Sequence, residues 1–173
     1  MAATAQITHV LVEVYLNSSH EPDAEYVNGV IEERPMGDFD HSSCQHAIEL
    51  WFAQQAKEWG IRVRPELRVQ VSAGNFRVPD VTILDRNLPA EQVITRPPIA
   101  VFEVLSPEDT VTRMMTKLAD YEKMGIKTIL VLDPNGKHFR YCEGKLEPLP
   151  ATVFDLPGST CHFDLAAIEK LLD

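Results

Sequence analysis

Residues 78–84, VPDVTIL, and residues 97–105, PPIAVFEVL, are two apolar segments of strand type that each contain one acid. The second segment is apolar at almost every position except Glu103, which predicts a strand buried on both faces. A third apolar run, KTILVLDP at residues 127–134, follows a stretch with helical spacing. Strand, helix and strand in this order predict a parallel pair joined by a right-handed crossover. We therefore expect a mixed sheet at the centre of the fold.

Two long helices are predicted to flank this sheet. From Asp40 to Trp59 the apolar residues have helical spacing, with Asp40 or Ser42 as the cap and Gly60 as the stop. The second helix is expected to begin at residues 106–109, SPED, which offer a cap, a first-turn proline and acids near the helix dipole. Its buried stripe ends at Gly125. The predicted fold class is α/β.

The remaining segments predict shorter elements. Asn28-Gly29 lies between alternating apolar residues, which predicts an N-terminal β-hairpin with a type I′ turn. Residues 61–71 and 138–144 have strand patterns, and residues 164–172 fit a short closing helix. Residues 9–17 fit either a short helix or a strand, and we favour the helix.

Length and composition favour one domain that spans residues 1–173. A chain of 173 residues with 45% hydrophobic residues is long enough for one proper core and too short for two. No apolar run approaches the ~20 residues of a membrane span, and no basic segment precedes an apolar one near the N-terminus. The three cysteines form no CxxC pair. We therefore expect a protein without membrane contact in the reducing cytoplasm.

The formal net charge of −10 counts against a constitutive DNA-binding protein, because the whole molecule repels polyanions. Contact with nucleic acid would need a local basic patch, a metal or a partner. The best candidate patch is Arg62, Arg64 and Arg68, with Arg77 and residues 113–127 expected nearby. A solvated strand face is an equally good explanation of these arginines.

The strongest candidate site residues are Asp80, Glu103 and Lys117. An unpaired carboxylate inside a buried strand costs several kcal/mol, so Glu103 needs a cation, a proton or solvent. If the two acidic segments are neighbouring strands, Asp80 approaches Glu103, and a divalent cation between them relieves their repulsion. Mg²⁺ or Mn²⁺ held by both acids leaves room for water and a phosphate, which Lys117 would reach from the following helix. The alternatives are a turn role for Asp80 and a solvated position for Lys117.

Further acids and ring side chains are candidates with less support. His46 and Glu49 are three residues apart on the first predicted helix and fit an additional ligand or general base, although a structural histidine is the commoner outcome. In the hairpin, Glu32 is preferred to Glu25 as a supporting acid. Tyr121 shares a helix face with Lys117.

A zinc site is a minor alternative. His41, Cys44 and His46 form one group of soft ligands, and Cys161-His162 forms a second. Structural zinc sites usually join two close ligand pairs from short loops, whereas the first group here lies in a predicted helix. The sequence has no Gly-rich phosphate loop, GxSxG elbow or HExxH motif. Nucleotide-binding, serine hydrolase and zinc protease classes are therefore disfavoured.

Four segments together resemble a known family. They are residues 25–37 (EYVNGVIEERPMG), 77–86 (RVPDVTILDR), 97–110 (PPIAVFEVLSPEDT) and 117–134 (KLADYEKMGIKTILVLDP). With the histidine-containing helix after the first segment, they resemble the bacterial Uma-two family of restriction endonuclease-like proteins, within the PD-(D/E)XK nuclease superfamily. The resemblance implies a restriction endonuclease-like mixed β-sheet flanked by helices, behind an N-terminal β-hairpin.

The resemblance also implies a chemistry. By position it assigns Asp80 and Glu103 as metal ligands and Lys117 as the lysine of a phosphodiesterase site. The superfamily pattern has lysine two residues after the second acid, where this chain has Leu105, so Lys117 would replace it from the next helix. The implied function is a Mg²⁺- or Mn²⁺-dependent endonuclease acting on DNA, by analogy as a homodimer. The alternative is a catalytically silent nuclease-like domain that serves as a binding or scaffold module.

Overall fold

A six-stranded mixed sheet carries both acid-bearing segments in a computed structural model that describes residues 9–21 and 23–172. The helices are α1 (Val12–Leu16), α2 (Phe39–Gln55), α3 (Val111–Met124) and α4 (Leu165–Glu169). The strands are β1 (Ala24–Val27), β2 (Val30–Glu33), β3 (Ile61–Pro65), β4 (Val69–Ser72), β5 (Asn75–Arg77), β6 (Val81–Asp85), β7 (Ala100–Val104), β8 (Thr128–Leu132), β9 (His138–Cys142), β10 (Lys145–Pro148), β11 (Val153–Asp155) and β12 (His162–Asp164).

The large sheet has the strand order β10-β9-β8-β7-β6-β3. Strands β7 and β8 are parallel and are joined through α3, while the other neighbours are antiparallel. A second sheet has the order β2-β1-β5-β4, and β11 pairs with β12. The predicted α/β class, the parallel pair and the mixed sheet flanked by helices are confirmed.

The hairpin and the first helix also agree with the sequence prediction. Strands β1 and β2 pair around Asn28 and Gly29, which both have positive φ, 51° and 84°, as a type I′ turn requires. Residues 12–16 form α1, so the helix favoured for this segment is correct. Gly125 ends α3 in the left-handed conformation, with φ of 100°.

Several element boundaries differ from the predictions. Asp38, rather than Asp40 or Ser42, caps α2 by accepting a hydrogen bond from the His41 backbone N–H at 2.9 Å. The second helix begins at Val111 with Thr110 as its cap, because residues 106–109 close a separate turn. Residues 61–71 form two strands, since Glu66 takes a left-handed φ of 49° and directs β4 into the second sheet.

The large sheet is packed between α2 and α3. Phe102 and Val104 face the core on the α2 side, whereas Val101 belongs to the core on the α3 side. Because side chains alternate along a strand, Glu103 points towards α3, on the same side as Val101. None of the described helices combines the length and apolar character needed to cross a bilayer.

The burial of the cysteines predicts their reactivity. All three are free thiols; Cys44 and Cys161 are buried, and Cys142 is partly exposed. Burial raises the pKa of Cys44 to about 12 and also raises the pKa of Cys161. We expect one thiol per native chain to react quickly with Ellman's reagent at mildly alkaline pH. The Cys142→Ser variant should lose this fast phase, and a fast phase that persists in this variant would contradict the described packing.

Candidate active site

Asp80 and Glu103 lie side by side at neighbouring strands of the large sheet. Val81 pairs with Phe102, so the preceding Asp80 comes level with Glu103. The Val104 backbone N–H donates to Asp80 Oδ2 at 2.7 Å, which fixes the aspartate against β7. Each acid is only 2% exposed. Both line one cavity of about 30 Å³, enough for a water molecule or a metal ion.

Lys117 enters the same cavity from α3. Its Nζ donates to Glu103 Oε2 at 2.7 Å and to the Val78 carbonyl oxygen at 3.1 Å, and lies 2.9 Å from Glu25 Oε1. The three donors of the ammonium group are thereby occupied. One helical turn later, the Tyr121 hydroxyl donates to Glu103 Oε1 at 2.6 Å. Glu103 is therefore held at both oxygens by side chains of α3.

Asp80 has its own set of donors. Arg34, on the segment after β2, donates through Nη2 to Asp80 Oδ1, and its Nη1 donates to Glu66 Oε1 at 3.2 Å. His41 of α2 lies with Nε2 3.5 Å from Asp80 Oδ2. Burial opposes ionisation of Asp80, but the hydrogen bond from His41 and the charge of Arg34 lower its pKa. Asp80 is thus a carboxylate at neutral pH.

The pKa of Glu103 is raised, in contrast to that of Asp80. Burial raises the pKa of Glu103 to about 7, the charge of Lys117 offsets part of this rise, and Asp80 and Glu25 add to it. Burial also opposes the charge of Lys117, yet Glu103 and Glu25 raise its pKa, so the amine stays protonated. Any further cation in this cavity would stabilise the ionised form of Glu103.

A network of buried ion pairs fixes the position of Lys117 through its contact with Glu25. Arg77, 1% exposed, donates to Glu25 Oε2 at 2.9 Å and to Asp120 Oδ2 at 2.9 Å and 2.7 Å. Glu25 Oε1 also accepts from the Val78 backbone N–H at 3.0 Å. Although burial acts against it, Lys117 and Arg77 lower the pKa of Glu25 to about 2.

The preference for Glu32 over Glu25 is wrong as a matter of position. Glu25 is fully buried against Lys117, whereas the Glu32 side chain is 37% exposed and its Oε2 lies 3.9 Å from Arg77. Strand β1 is buried at all four of its residues, and the Glu25 side chain contacts Arg77 at the end of β5 and Lys117 of α3. This difference between Glu25 and Glu32 could not be predicted from the sequence, because β5 was not predicted as a strand.

His46 and Glu49 do not reach the cavity. His46 is exposed, and Glu49 accepts a hydrogen bond at 3.2 Å from Gln45, whose amide also donates to the Asp80 carbonyl oxygen. His41 occupies the position expected of His46. The signal was present in the sequence, because the apolar stripe through Ile48, continued backwards along the helix, passes through position 41 and not 46.

The comparisons with known proteins identify the family. The profile of the Uma2 family, described as "Putative restriction endonuclease", matches residues 12–155. The chain belongs to the Uma2 family. This confirms the resemblance seen in the sequence.

A solved structure shares the Uma2 fold described above. It is the crystal structure of a protein from Anabaena variabilis described as "a putative nuclease belonging to DUF820", with 21% identity and a TM-score of 0.78, covering 95% of this chain and 99% of that one. A cryo-electron microscopy structure of a DrdV–DNA complex matches more distantly, with 20% identity and a TM-score of 0.43, over 76% of this chain and 11% of that one. No curated protein is similar enough to count as a relative.

The donor set of this Uma2 protein suits a hard cation and excludes the zinc alternative. Within residues 9–21 and 23–172, no group of three or more His, Cys, Asp or Glu side chains is arranged to hold a metal ion. Zinc would need such a group, so that alternative is wrong for the described residues. Mg²⁺ and Mn²⁺ differ, because Mg²⁺ in particular often uses one or two carboxylates and completes its shell with water. Asp80 and Glu103 meet this smaller requirement.

The predicted basic patch is not continuous in the Uma2 protein. Arg77 is buried in the ion network, and Arg68 donates to the carbonyl oxygens of Leu16 and Ser18. Arg62 and Arg64 line a separate cavity of about 310 Å³ that shares no lining residue with the Asp80 cavity. The arginines that do line the Asp80 cavity are Arg34 and Arg113.

The anchoring network predicts that Glu25 contributes much more to the unfolding free energy than Glu32, its partner across the hairpin. Glu25→Gln leaves Arg77 and Lys117 buried with too little negative charge, so we expect unfolding free energy to fall by about 3–5 kcal/mol. The matched control is Glu32→Gln, which removes a partly exposed charge with only a distant contact to Arg77 and should change the unfolding free energy by about 1 kcal/mol or less. Urea denaturation followed by circular dichroism measures both. Equal effects would show that Glu25 is not the anchor of Lys117.

Proposed function

We propose that the chain is a metal-dependent nuclease that hydrolyses DNA phosphodiester bonds, with Asp80, Glu103 and Lys117 as its catalytic residues. One observation carries the proposal: two buried carboxylates and a buried ammonium group line a single cavity in a member of the Uma2 family. Buried charges are costly and are usually kept only where they are paired or functional. The same residue types would hold a cation next to a phosphate.

Asp80 and Glu103 would hold Mg²⁺ or Mn²⁺, with water completing the shell. Such an ion, when bound, activates water and neutralises charge on the phosphoryl group. The structure supports these two ligands by their oxygen chemistry and by the raised pKa of Glu103, which an added cation would lower. Glu25 is directed to Lys117 and Arg77, so we assign it an anchoring role.

The residues around the acids would orient the reaction. Lys117 carries a fixed positive charge beside Glu103 and would place it next to a phosphate oxygen of the substrate. Tyr121, which donates to Glu103 at 2.6 Å, keeps that carboxylate in one orientation. The Val104 N–H does the same for Asp80 at 2.7 Å. These constraints reduce the reorganisation needed when the substrate arrives.

DNA is the proposed substrate because three cationic side chains are gathered at the cavity, where they could face phosphate groups. Arg34, Arg113 and Lys117 line the cavity although the chain has a net charge of −10. Because the chain as a whole is negatively charged, it would repel a phosphate backbone over much of its surface. The backbone would bind most favourably beside these cations. We further propose that the chain acts as one domain in the cytoplasm, which suits its three free cysteines, and as a homodimer that presents two sites.

A catalytically silent nuclease-like domain is the second candidate. One observation favours it: every carboxylate oxygen of Asp80 and Glu103 accepts a hydrogen bond or lies in an ion pair with groups of the chain itself. The acids are therefore compensated without an added ion. In this case the cavity would serve binding or structural integrity rather than hydrolysis.

A cleavage assay separates these functions. Plasmid, single-stranded DNA and RNA are incubated with purified protein in Mg²⁺ or Mn²⁺, alongside Asp80→Asn, Glu103→Gln and Lys117→Met. We expect each substitution to lower the cleavage rate about 10²- to 10⁴-fold, because each removes a charge that acts on the reacting phosphate.

The matched control is Lys123→Met, which removes an exposed lysine from the same helix and should leave the rate unchanged. Cleavage that survives the Asp80 or Glu103 substitution would identify a contaminating nuclease. Folded protein that cleaves none of the three substrates with either ion would favour the silent domain.

A further inference from the structure

Arg34 occupies the part of the cavity next to Asp80. It follows β2 on the irregular segment that leads to α2, and its side chain is only 10% exposed. One arm of the guanidinium group donates to Asp80 Oδ1, and the other lies 3.2 Å from Glu66 Oε1. A cation of this chain is thus seated on one of the two acids that would hold a metal ion.

The local charges are already balanced with Arg34 in place. Arg34 faces Asp80 and Lys117 faces Glu103. With Arg113 and Asp109, which also line the cavity, three cationic side chains match three carboxylates. A divalent cation added to this arrangement would bring two more positive charges close to both groups. The divalent cation would repel the Arg34 and Lys117 side chains strongly, because charges a few ångströms apart in a buried site are poorly screened. One of the resident cations must then move away from its acid.

Arg34 is the resident cation that is free to move. Lys117 is fixed by Glu103, Glu25 and the Val78 carbonyl oxygen, with all three donors used. Arg34 has instead a second acceptor, Glu66, whose side chain is 47% exposed and is not among the residues that line the cavity. A rotation of the Arg34 side chain would break its contact with Asp80 and keep its contact with Glu66.

We infer that Arg34 is an internal counter-ion of Asp80 that a divalent cation must displace. The inference rests on the proposed function and adds a regulatory step to the same site. Metal affinity is then lower than the two carboxylates alone would give, because part of the binding energy is used to move Arg34. The displaced guanidinium group retains donors that suit a phosphate at the cavity mouth, so metal and nucleic acid would bind cooperatively.

The test measures metal binding and not cleavage. Mn²⁺ is titrated calorimetrically into the full chain and into its Arg34→Met variant, at equal pH and ionic strength. Removing the competing cation should make Mn²⁺ binding about 10- to 100-fold tighter, the range expected when one charge-assisted hydrogen bond no longer has to be broken.

Arg113→Met is the matched control. Arg113 lines the same cavity, but its Nη2 donates to the Glu33 carbonyl oxygen at 2.6 Å and not to Asp80. Its loss changes the cavity charge by the same amount, so it should alter Mn²⁺ affinity less than about threefold if direct competition for Asp80 is what matters. An equal gain in both variants would reduce the effect to general electrostatics and overturn the inference.

The remaining outcomes are also decisive. If Arg34→Met does not fold, Arg34→Gln also removes the positive charge beside Asp80 while keeping a polar side chain, and it should likewise bind Mn²⁺ more tightly than the wild type. Wild-type binding with no gain in the folded Arg34 variant overturns the inference alone. Absence of Mn²⁺ binding in the wild type and in every Arg34 variant overturns the proposed metal-dependent function as well.

Discussion

The ion pair and the hydrogen bond that compensate the buried Glu103 side chain determine how α3 and the second sheet pack against the large sheet. This acid lies on a strand with neighbours on both sides and helices above and below, where an uncompensated carboxylate would cost several kcal/mol. Compensation comes from α3, which directs Lys117 and Tyr121 at the two carboxylate oxygens. The crossover helix between β7 and β8 therefore has an electrostatic role in addition to covering the sheet.

Because Lys117 is buried in order to pair with Glu103, its ammonium group needs a further acid to compensate its charge. Glu25 meets it from the second sheet, and Arg77 in turn balances Glu25 and Asp120. Charge compensation thus extends from the large sheet through α3 to the hairpin, with alternating signs at each step. Such a network is sensitive to the loss of any member, because the remaining groups stay buried without a partner.

Much of the fold could be predicted from local patterns. Apolar runs identified β7 and β8, helical spacing identified α2 and α3, and Asn28-Gly29 identified the hairpin. The two acids stood out because a carboxylate in an apolar strand segment is unusual, whereas the role of Lys117 was supported mainly by the family resemblance. Segments such as β5 and β10 were missed because they are short and polar and show no apolar alternation. Strand β5 also pairs with β1, which is distant in the sequence.

The partners of the acids were harder to predict than the acids. Arg34 lies in an irregular segment with no periodicity, so no pattern connects it to Asp80. Glu25 bonds to Arg77 at the end of β5, a strand that the sequence did not predict. His41 is the exception, since its helix face was already defined by the apolar stripe.

The second sheet has a consequence for how the chain folds. Glu25 and Arg77 are 52 positions apart along the chain, and Arg34 and Asp80 are 46 apart. Contacts between such distant positions require loop closure and tend to form slowly. A nascent or partly folded chain can build the strands and helices around its central acids before the hairpin docks, and its charge cluster would then be incomplete. We therefore expect the amino-terminal hairpin to dock late in folding and to complete the charge cluster.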